Sequence, residues 1–260
     1  MLSQVGQWWL RARGTAGLSL ALFVIMACVG AGRGTAAEPV RIDGTPTCHR
    51  ALVDLCDAFS EMRTEFKSKL VCSGGTNAVL KCGDGRVDIA CVEFPLRAFT
   101  ARAWDQAFTK DKQPPQMACA QTAVVVLVNE RNQVRRLSYE QIRTIWEGKA
   151  ITWNEYGGGP GKITVYTMQP TVNVAGAIFS ERVLDYRKWS KTATTMPSSA
   201  NVAAAVGRDP NGIGFLALTA DTISGVRLVA LAEDPTKPAI EPTVENIVRG
   251  QYPLVWEYRL

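Results

Sequence analysis

Hydrophobic residues follow two alternating patterns along the chain from residue 40 onward. Short apolar runs between turn residues are typical of buried strands, whereas apolar positions three and four residues apart indicate amphipathic helices. In the first half, the runs predict strands at 40–43, 69–72 and 87–92, and the spaced positions predict helices from Cys48, at 77–81 and at 98–108. Strands and helices that alternate in this order predict an α/β fold, in which helices flank a mostly parallel sheet.

The second half begins with a continuous apolar run at 122–129. Such a run predicts a strand that is buried on both faces, and it fits a strand that crosses between two lobes. The segments that follow predict helices at 138–147, 175–185 and 199–206, strands at 163–166 and 226–231, and a return crossing at 213–218. We therefore expect one lobe of residues 38–116 plus 215–260 and a second lobe of residues 117–214.

The first 37 residues carry the features of a secretory signal peptide. Arg11 and Arg13 precede an apolar run at 18–31, and small residues at 35–37 provide a cleavage site. This order of features predicts that residues 1–37 are removed and that the protein is periplasmic or secreted. The alternatives are an uncleaved anchor, although the run is short for a membrane span, and lipoprotein processing at Cys28.

Charge and histidine content argue against two classes of protein. The formal net charge is +5 and the Lys and Arg residues form no run, whereas a nucleic-acid-binding domain usually shows a basic cluster. The single histidine, His49, follows Cys48, and neighbours on a helix point in different directions, so the two do not form a nucleophile–base pair. We predict a binding protein without a cofactor rather than an enzyme. A thiol enzyme is the alternative, and it would need a free cysteine of low pKa.

Cysteine usage agrees with export. Apart from Cys28, the cysteines all lie in one segment of the first half: Cys48, Cys56, Cys72, Cys82, Cys91 and Cys119. An even number in an exported chain predicts disulfides, and Cys48–Cys72 is the preferred pair because the ends of the first two strands should be adjacent. Zinc is the alternative, but the chain has no C-x-x-C motif, and we predict no metal site.

The segment 137–166 combines several specific signals. Ser138 and Gln141 form a capping box, Gly148 ends the helix, and a Gly-rich loop at 157–161 leads into a strand. The phrase that ends this helix and enters the loop is Trp146-Glu147-Gly148-Lys149-Ala150-Ile151-Thr152-Trp153. This order resembles the second lobe of the phosphate-binding proteins of ABC importers.

Further phrases match that family in the correct order and extend the resemblance over nearly the whole chain after residue 37. They are Ser73-Gly74-Gly75, Val87-Asp88-Ile89-Ala90, Pro95-Leu96, the segment 209–214 and Tyr252-Pro253-Leu254. The resemblance implies the two-lobed fold of periplasmic binding proteins. It also implies capture of phosphate or a related small oxyanion between the lobes, an ABC permease or other membrane complex as partner, and a monomer.

Helix N-termini at the carboxyl ends of the strands are the expected ligand positions. Ligands of open α/β sheets lie at these ends, and the free backbone N–H groups of a helix N-terminus bind anions. The turns at 44–47, 72–76 and 171–175 provide such places. The resemblance implies ligand contacts there and after the third strand, at Thr45, Thr47, Cys72, Ser73, Gly74, Gly75, Thr76, Glu93, Gln169 and Asn173.

Several of these positions depart from the family pattern. Cys72 replaces a serine, Glu93 replaces an aspartate, and Gln169 replaces an arginine. The segment 173–175 replaces the Ser-Gly-Thr that opens the helix in the family. A thiol is a weak donor and an amide lacks the charge of a guanidinium, so the alternative is a repurposed binding protein. Its phosphate site would be altered or lost, and it would act as a sensor or as a partner or scaffold of a membrane complex.

Overall fold

A computed structural model of the chain describes residues 38–94, 96, 98–111, 113–170, 174–218 and 224–260. The predicted signal peptide and Asn173 of the predicted site lie outside these residues. The described chain forms two compact units, of which the first comprises the residues up to Gln121 with Trp256–Leu260, and the second comprises Thr122–Val255. Residues 215–255 thus group with 122–214, whereas the sequence-based division places them with the first lobe.

The first unit is a sheet with helices in the connections. Its elements are β1 (Val40–Gly44), α1 (His49–Met62), β2 (Ser68–Val71), α2 (Gly75–Gly83), β3 (Ile89–Phe94), α3 (Ala98–Ala107) and the final strand of the chain. β1 pairs in parallel with both β2 and β3, and the final strand pairs antiparallel with β3. Parallel strands need crossover connections, which α1 and α2 provide. The predicted α/β architecture is confirmed for this unit.

The second unit has a mixed sheet and a small separate one. Its elements are most of β4 (Ala118–Asn129), β5 (Arg136–Ser138), α4 (Tyr139–Trp146), β6 (Thr164–Thr167), α5 (Val174–Ile178), β7 (Thr194–Thr195), α6 (Ser199–Arg208), β8 (Gly212–Ala217), β9 (Val226–Leu228), β10 (Ala230–Ala232) and α7 (Val244–Val248). The final strand, β11 (Val255–Arg259), belongs to the first unit from Trp256 onward. β6 pairs in parallel with β7 and β8, and β4 pairs antiparallel with β8 and β9. β5 and β10 form the small parallel sheet.

Helix α4 begins as the sequence predicts. The Ser138 hydroxyl accepts a hydrogen bond from the Gln141 N–H at 3.2 Å, and the Gln141 side chain accepts one from the Ser138 N–H at 2.8 Å. This capping box satisfies two N–H groups that a helix leaves free at its start. The buried face of the helix includes Trp146, whose ring packs against Phe179, and Phe179 stacks on Phe215 with 4.0 Å between the ring centres. The core of the second unit is therefore built around this helix.

Three details differ from the sequence-based expectation. The segment 226–231 is not one strand, because β9 and β10 pair in different sheets. The predicted helix at 175–185 is α-helical only over Val174–Ile178 and continues as a short π-helix at Phe179–Val183. The predicted return crossing at 213–218 corresponds to β8, which pairs with β4 inside the second unit; the chain passes back to the first unit at Val255–Trp256.

No helix in the described part of the chain is long and apolar enough to cross a membrane. Within the same residues, His, Cys, Asp and Glu side chains form no group of three or more that could hold a metal ion.

Candidate functional site

The candidate site lies in the first unit, where β1, β2 and β3 end. Since the three strands are parallel, their carboxyl ends meet at one edge of the sheet, which is where ligands of such sheets lie. The loop after β1 carries Thr45 and Thr47, the turn after β2 carries residues 72–74, and Glu93 lies near the end of β3. The structure brings these predicted residues together.

Glu93 is the centre of a hydroxyl cluster. The Thr45 hydroxyl donates a hydrogen bond of 2.6 Å to Glu93 Oε1, and the Thr47 hydroxyl donates one of 3.1 Å to the same oxygen. Glu93 is only 8% exposed, and burial of a carboxyl group is costly unless hydrogen-bond donors of this kind accompany it. The other oxygen, Oε2, faces Gly75, because a methyl group placed on that glycine would lie 3.4 Å from it. Glu93 therefore offers an acceptor at the start of α2.

The start of α2 presents backbone donors. No side chain caps this helix, and its first internal bond runs from the Ala78 N–H to the Gly74 carbonyl oxygen. The N–H groups of Gly75, Thr76 and Asn77 precede that bond, so they are donors of the kind that bind anions. Gly74 has a φ of +105°, a conformation that glycine adopts without strain. The turn therefore requires glycine at position 74.

The buried Asp43 carboxylate holds the turn that precedes α2 in place. Asp43 is fully buried, and its Oδ1 accepts hydrogen bonds of 2.8 Å from the N–H groups of Gly44 and Ser73. Its Oδ2 accepts from the Ser73 hydroxyl at 2.6 Å and from Lys81 Nζ at 2.7 Å. Lys81 Nζ also donates to the Ser73 hydroxyl oxygen at 2.9 Å. The Ser73 hydroxyl is thus occupied inside the protein, and Ser73 contributes the position of the turn.

This network sets the pKa of Asp43. Burial alone would raise the pKa of the carboxyl, but the hydrogen bonds from Lys81 and Ser73 outweigh that effect, and the pKa lies below its ordinary value. Sequence analysis did not identify Asp43 or Lys81 as part of the site. The signal available in the sequence was an acidic residue beside Ile42 in the last part of β1, followed by a lysine in the next helix but one.

The Cys72 thiol interacts with Cys48. Burial, reinforced by the neighbouring Cys48 and Asp43, raises the pKa of Cys72 to about 11. A thiol of that pKa remains protonated at neutral pH, so it is a poor nucleophile. This protonation state gives no support to the thiol-enzyme alternative, which required a cysteine of low pKa.

The disulfide prediction is corrected by the structure. The cysteines from Cys48 to Cys119 are free thiols, including the predicted pair Cys48 and Cys72. The Sγ atoms of Cys91 and Cys119 lie 3.9 Å apart, about twice the length of an S–S bond. Two of these thiols donate hydrogen bonds instead, Cys48 to the Thr45 carbonyl oxygen at 3.0 Å and Cys119 to that of Tyr258 at 3.4 Å.

Tyr258 is a further residue near the site that the sequence did not reveal. It lies on β11, directly opposite Glu93 in the antiparallel pair, and its hydroxyl interacts with Thr47. The side chain is buried, and burial raises the pKa of its hydroxyl, which keeps the group protonated and able to donate. Because β11 comes from the end of the chain, no local sequence signal links it to residues 45–93.

Of the ligand-binding residues predicted for the second unit, the structure describes only Gln169. Gln169 follows β6, and its side chain is exposed. Asn173, with the rest of segment 171–173, lies outside the described residues. The contacts described above therefore concern the first unit alone.

Comparison with known proteins places the chain in a family. Residues 29–260 match the family model described as a PBP superfamily domain. The chain belongs to the PBP superfamily. A curated relative, the phosphate-binding protein PstS of Bacillus subtilis, is 23% identical over 228 residues, which are 88% of this chain and 71% of the relative. The resemblance to phosphate-binding proteins is therefore confirmed.

Solved structures show the same fold. A candidate phosphate ABC transporter substrate-binding protein with bound phosphate, from Clostridium perfringens, matches this PBP superfamily member with a TM-score of 0.64 at 19% identity, covering 85% of each chain. An ABC-type phosphate transport receptor from Vibrio cholerae matches with a TM-score of 0.62 at 20% identity, also covering 85% of each chain. The predicted two-lobed periplasmic binding-protein fold is confirmed by these matches.

Proposed function

We propose that this protein is an exported solute-binding protein that captures phosphate or a related small oxyanion and delivers it to the permease of an ABC importer. The observation that carries the proposal is the uncapped N-terminus of α2, which faces the Glu93 carboxylate and its two threonine donors. Its similarity to a phosphate-binding protein and to a phosphate transport receptor supports the same ligand class.

The chemistry of the site favours an oxyanion that carries a proton. The amide donors of α2 bind the charged oxygens. Glu93 repels a fully ionised oxygen at close range but accepts a hydrogen bond from a protonated one. Hydrogen phosphate offers both kinds of oxygen, whereas sulfate at neutral pH offers only the first. We therefore expect phosphate to bind more tightly than sulfate.

The test is calorimetric titration of the mature protein, expressed in the periplasm, with inorganic phosphate and with sulfate at neutral pH. We expect a phosphate Kd near 1 μM, equivalent to about −8 kcal/mol, and weak or unmeasurable sulfate binding. Glu93→Gln keeps the shape of the side chain and removes its charge. The substitution should weaken phosphate binding by about 10-fold or more, the range of a lost charge-assisted hydrogen bond, and should narrow the preference over sulfate.

A matched control is Glu61→Gln, because Glu61 is an exposed residue at the end of α1. It should leave both affinities unchanged. Absence of heat and of a thermal shift with millimolar phosphate in the wild-type protein would overturn the proposal. The search would then move to other ligands and to protein partners, as expected for a repurposed sensor or scaffold.

A further inference from the structure

Helices α2 and α3 lie side by side in a parallel register. Thr76 lies against Thr100 and Gly83 against Ala107, and Val79 and Ala103 share one buried cluster, so the members of all three pairs are 24 positions apart. The constant offset means that the helices run in the same direction. Since the pairs recur at spacings of three and four residues, they follow one face of each helix. The register therefore fixes which residues meet at the start of the two helices.

The two helices approach closely at Gly83 and Ala107, their last residues. A methyl group placed on Gly83 would lie 2.6 Å from Ala107 Cβ, so glycine lets the two helices approach at this point. The buried side chains of Val79 and Ala103 pack with Val92 of β3 in one cluster. A residue in the first turn of α3 is therefore held by a packed element rather than by a loop, which is the condition for a well-positioned binding group.

The parallel register places Thr100 beside the candidate site. Its hydroxyl oxygen lies 3.2 Å from that of Thr76, in the first turn of α2. A methyl group placed on Gly75 would lie 3.4 Å from Glu93 Oε2 and 3.7 Å from Thr100 Oγ1. The carboxylate and the Thr100 hydroxyl thus face the same small space, next to the free N–H groups of α2.

The hydrogen bond between Thr76 and Thr100 uses only one of the two hydroxyl protons. One O–H donates across the 3.2 Å contact, and each hydroxyl has one proton. With Thr76 as the donor of that bond, the Thr100 hydroxyl accepts and keeps its own proton for another acceptor. An anion oxygen at the start of α2 is a suitable acceptor, because the amides of the first helical turn already favour negative charge there.

We propose that Thr100 is a ligand-binding residue whose hydroxyl donates to an oxygen of the anion held at the N-terminus of α2. This inference rests on the proposed function, and it assigns α3 a part in the site that the sequence motifs do not indicate. Thr76 and Thr100 then act as a hydroxyl pair between two helix starts, and the anion contacts both helices.

The experiment measures inorganic phosphate binding by calorimetry for wild type, Thr100→Val and Thr100→Ser, with the Tm of each protein without phosphate. Valine replaces the hydroxyl by a methyl group of similar size, whereas serine keeps the hydroxyl and loses the methyl group. Thr100→Val should weaken phosphate binding about fivefold, as for one neutral hydrogen bond, and Thr100→Ser should bind within twofold of wild type, a difference of about 0.4 kcal/mol. Thr109→Val, at an exposed position beyond the end of α3, controls for the loss of a threonine hydroxyl elsewhere.

Each other outcome has a defined meaning. An unchanged Kd in Thr100→Val overturns the inference and leaves the proposed function intact. An equal loss of affinity in the valine and serine variants, with a lowered Tm in both, also overturns it, because packing rather than the hydroxyl would then matter. A wild-type protein that does not bind phosphate overturns the proposed function and this inference together, and that result is seen before any variant is compared.

Discussion

The Asp43 carboxylate positions several groups at this edge of the sheet. Four donors from three segments converge on it, so the side chain ties the end of β1 to the turn that starts α2. Its partner Lys81 is 30% exposed, and an ion pair in that setting keeps some contact with water. We therefore infer that the Asp43–Lys81 pair mainly positions residues 73–75, and we expect it to contribute moderately to the free energy of unfolding.

The stability of the folded protein should depend on the ionisation of Asp43. The pKa of Asp43 is lowered in the folded state, whereas an aspartate in an unfolded chain has a pKa of about 3.9. A lowered folded pKa stabilises the native state fully above the unfolded value, and the stabilisation is lost as the pH falls through the folded value. Asp43→Asn should lower the free energy of unfolding by about 1–3 kcal/mol at neutral pH, and by less as the pH falls below about 4.

Urea denaturation of both proteins between about pH 2.5 and pH 7 would measure this dependence. Asp84→Asn is the matched control, because Asp84 pairs with Arg86 at an exposed position, where such pairs contribute about 0–1 kcal/mol. A difference between wild type and Asp43→Asn that stays constant down to the lowest pH would contradict the assignment of a charged, paired Asp43.

The two ends of helix α2 use glycine for different reasons. Gly83 allows close packing against α3, whereas Gly75 leaves space at the candidate site. A methyl group on Gly83 would lie 2.6 Å from Ala107 Cβ, whereas one on Gly75 would meet its neighbours at 3.4 Å or more. The first distance is a clash and the second is ordinary contact. The two ends of the same helix therefore have different requirements for glycine.

Substitution of each glycine by alanine should separate stability from binding. Gly75→Ala should keep the stability of the wild type, because it fits and because alanine favours a helix over glycine by up to about 1 kcal/mol. It should nevertheless weaken phosphate binding, since its methyl group occupies the space between Glu93 and Thr100. Gly83→Ala should lower the free energy of unfolding by about 1–3 kcal/mol through overpacking.

Thermal unfolding and calorimetric titration of the two variants check this pair of expectations. Each variant is the control for the other, because both make the same change in the same helix. Phosphate binding of wild-type strength in Gly75→Ala would show that the ligand does not use this space. A fully stable Gly83→Ala would show that α2 and α3 are less closely packed than the structure indicates.

The redox state of the cysteines is a property of the whole molecule, and chemical labelling tests it. With every described cysteine reduced, labelling of the purified protein with a maleimide in denaturant and without reductant should modify each cysteine from Cys48 to Cys119. In the native protein, the buried residues Cys48 and Cys91 should react far more slowly than the same residues in denaturant. Hydrogen bonding with Cys119 and Cys48, together with burial, raises the pKa of Cys91, which lowers its reactivity further.

Mass spectrometry of the labelled peptides gives the result for each cysteine separately. Protein treated with a reductant before labelling supplies the reference for complete modification. A pair of cysteines that stays unlabelled in denaturant until a reductant is added would identify a disulfide and would contradict the thiol state seen in the structure.

The meeting of Thr45, Thr47 and Glu93 followed from sequence because parallel strands bring their carboxyl ends to one edge of a sheet. The direction of the Ser73 hydroxyl did not follow, since it depends on Lys81, two helical turns away, and on the burial of Asp43. The role of Tyr258 needed a pairing between β3 and β11, and no local pattern encodes a pairing between segments so distant in sequence. Disulfides were inferred from composition, which says nothing about the distance between sulfur atoms.

The position of β11 has a consequence for the order in which the protein matures. The chain is synthesised from its N-terminus, so β1, β2 and β3 exist long before Val255–Arg259, the strand that pairs with β3. Until then β3 has an unpaired edge, and such edges promote association with other chains. Contacts between segments far apart in sequence also form slowly. The first unit therefore stays incomplete until β11 has been synthesised, which leaves a period in which the free edge of β3 is accessible to a chaperone.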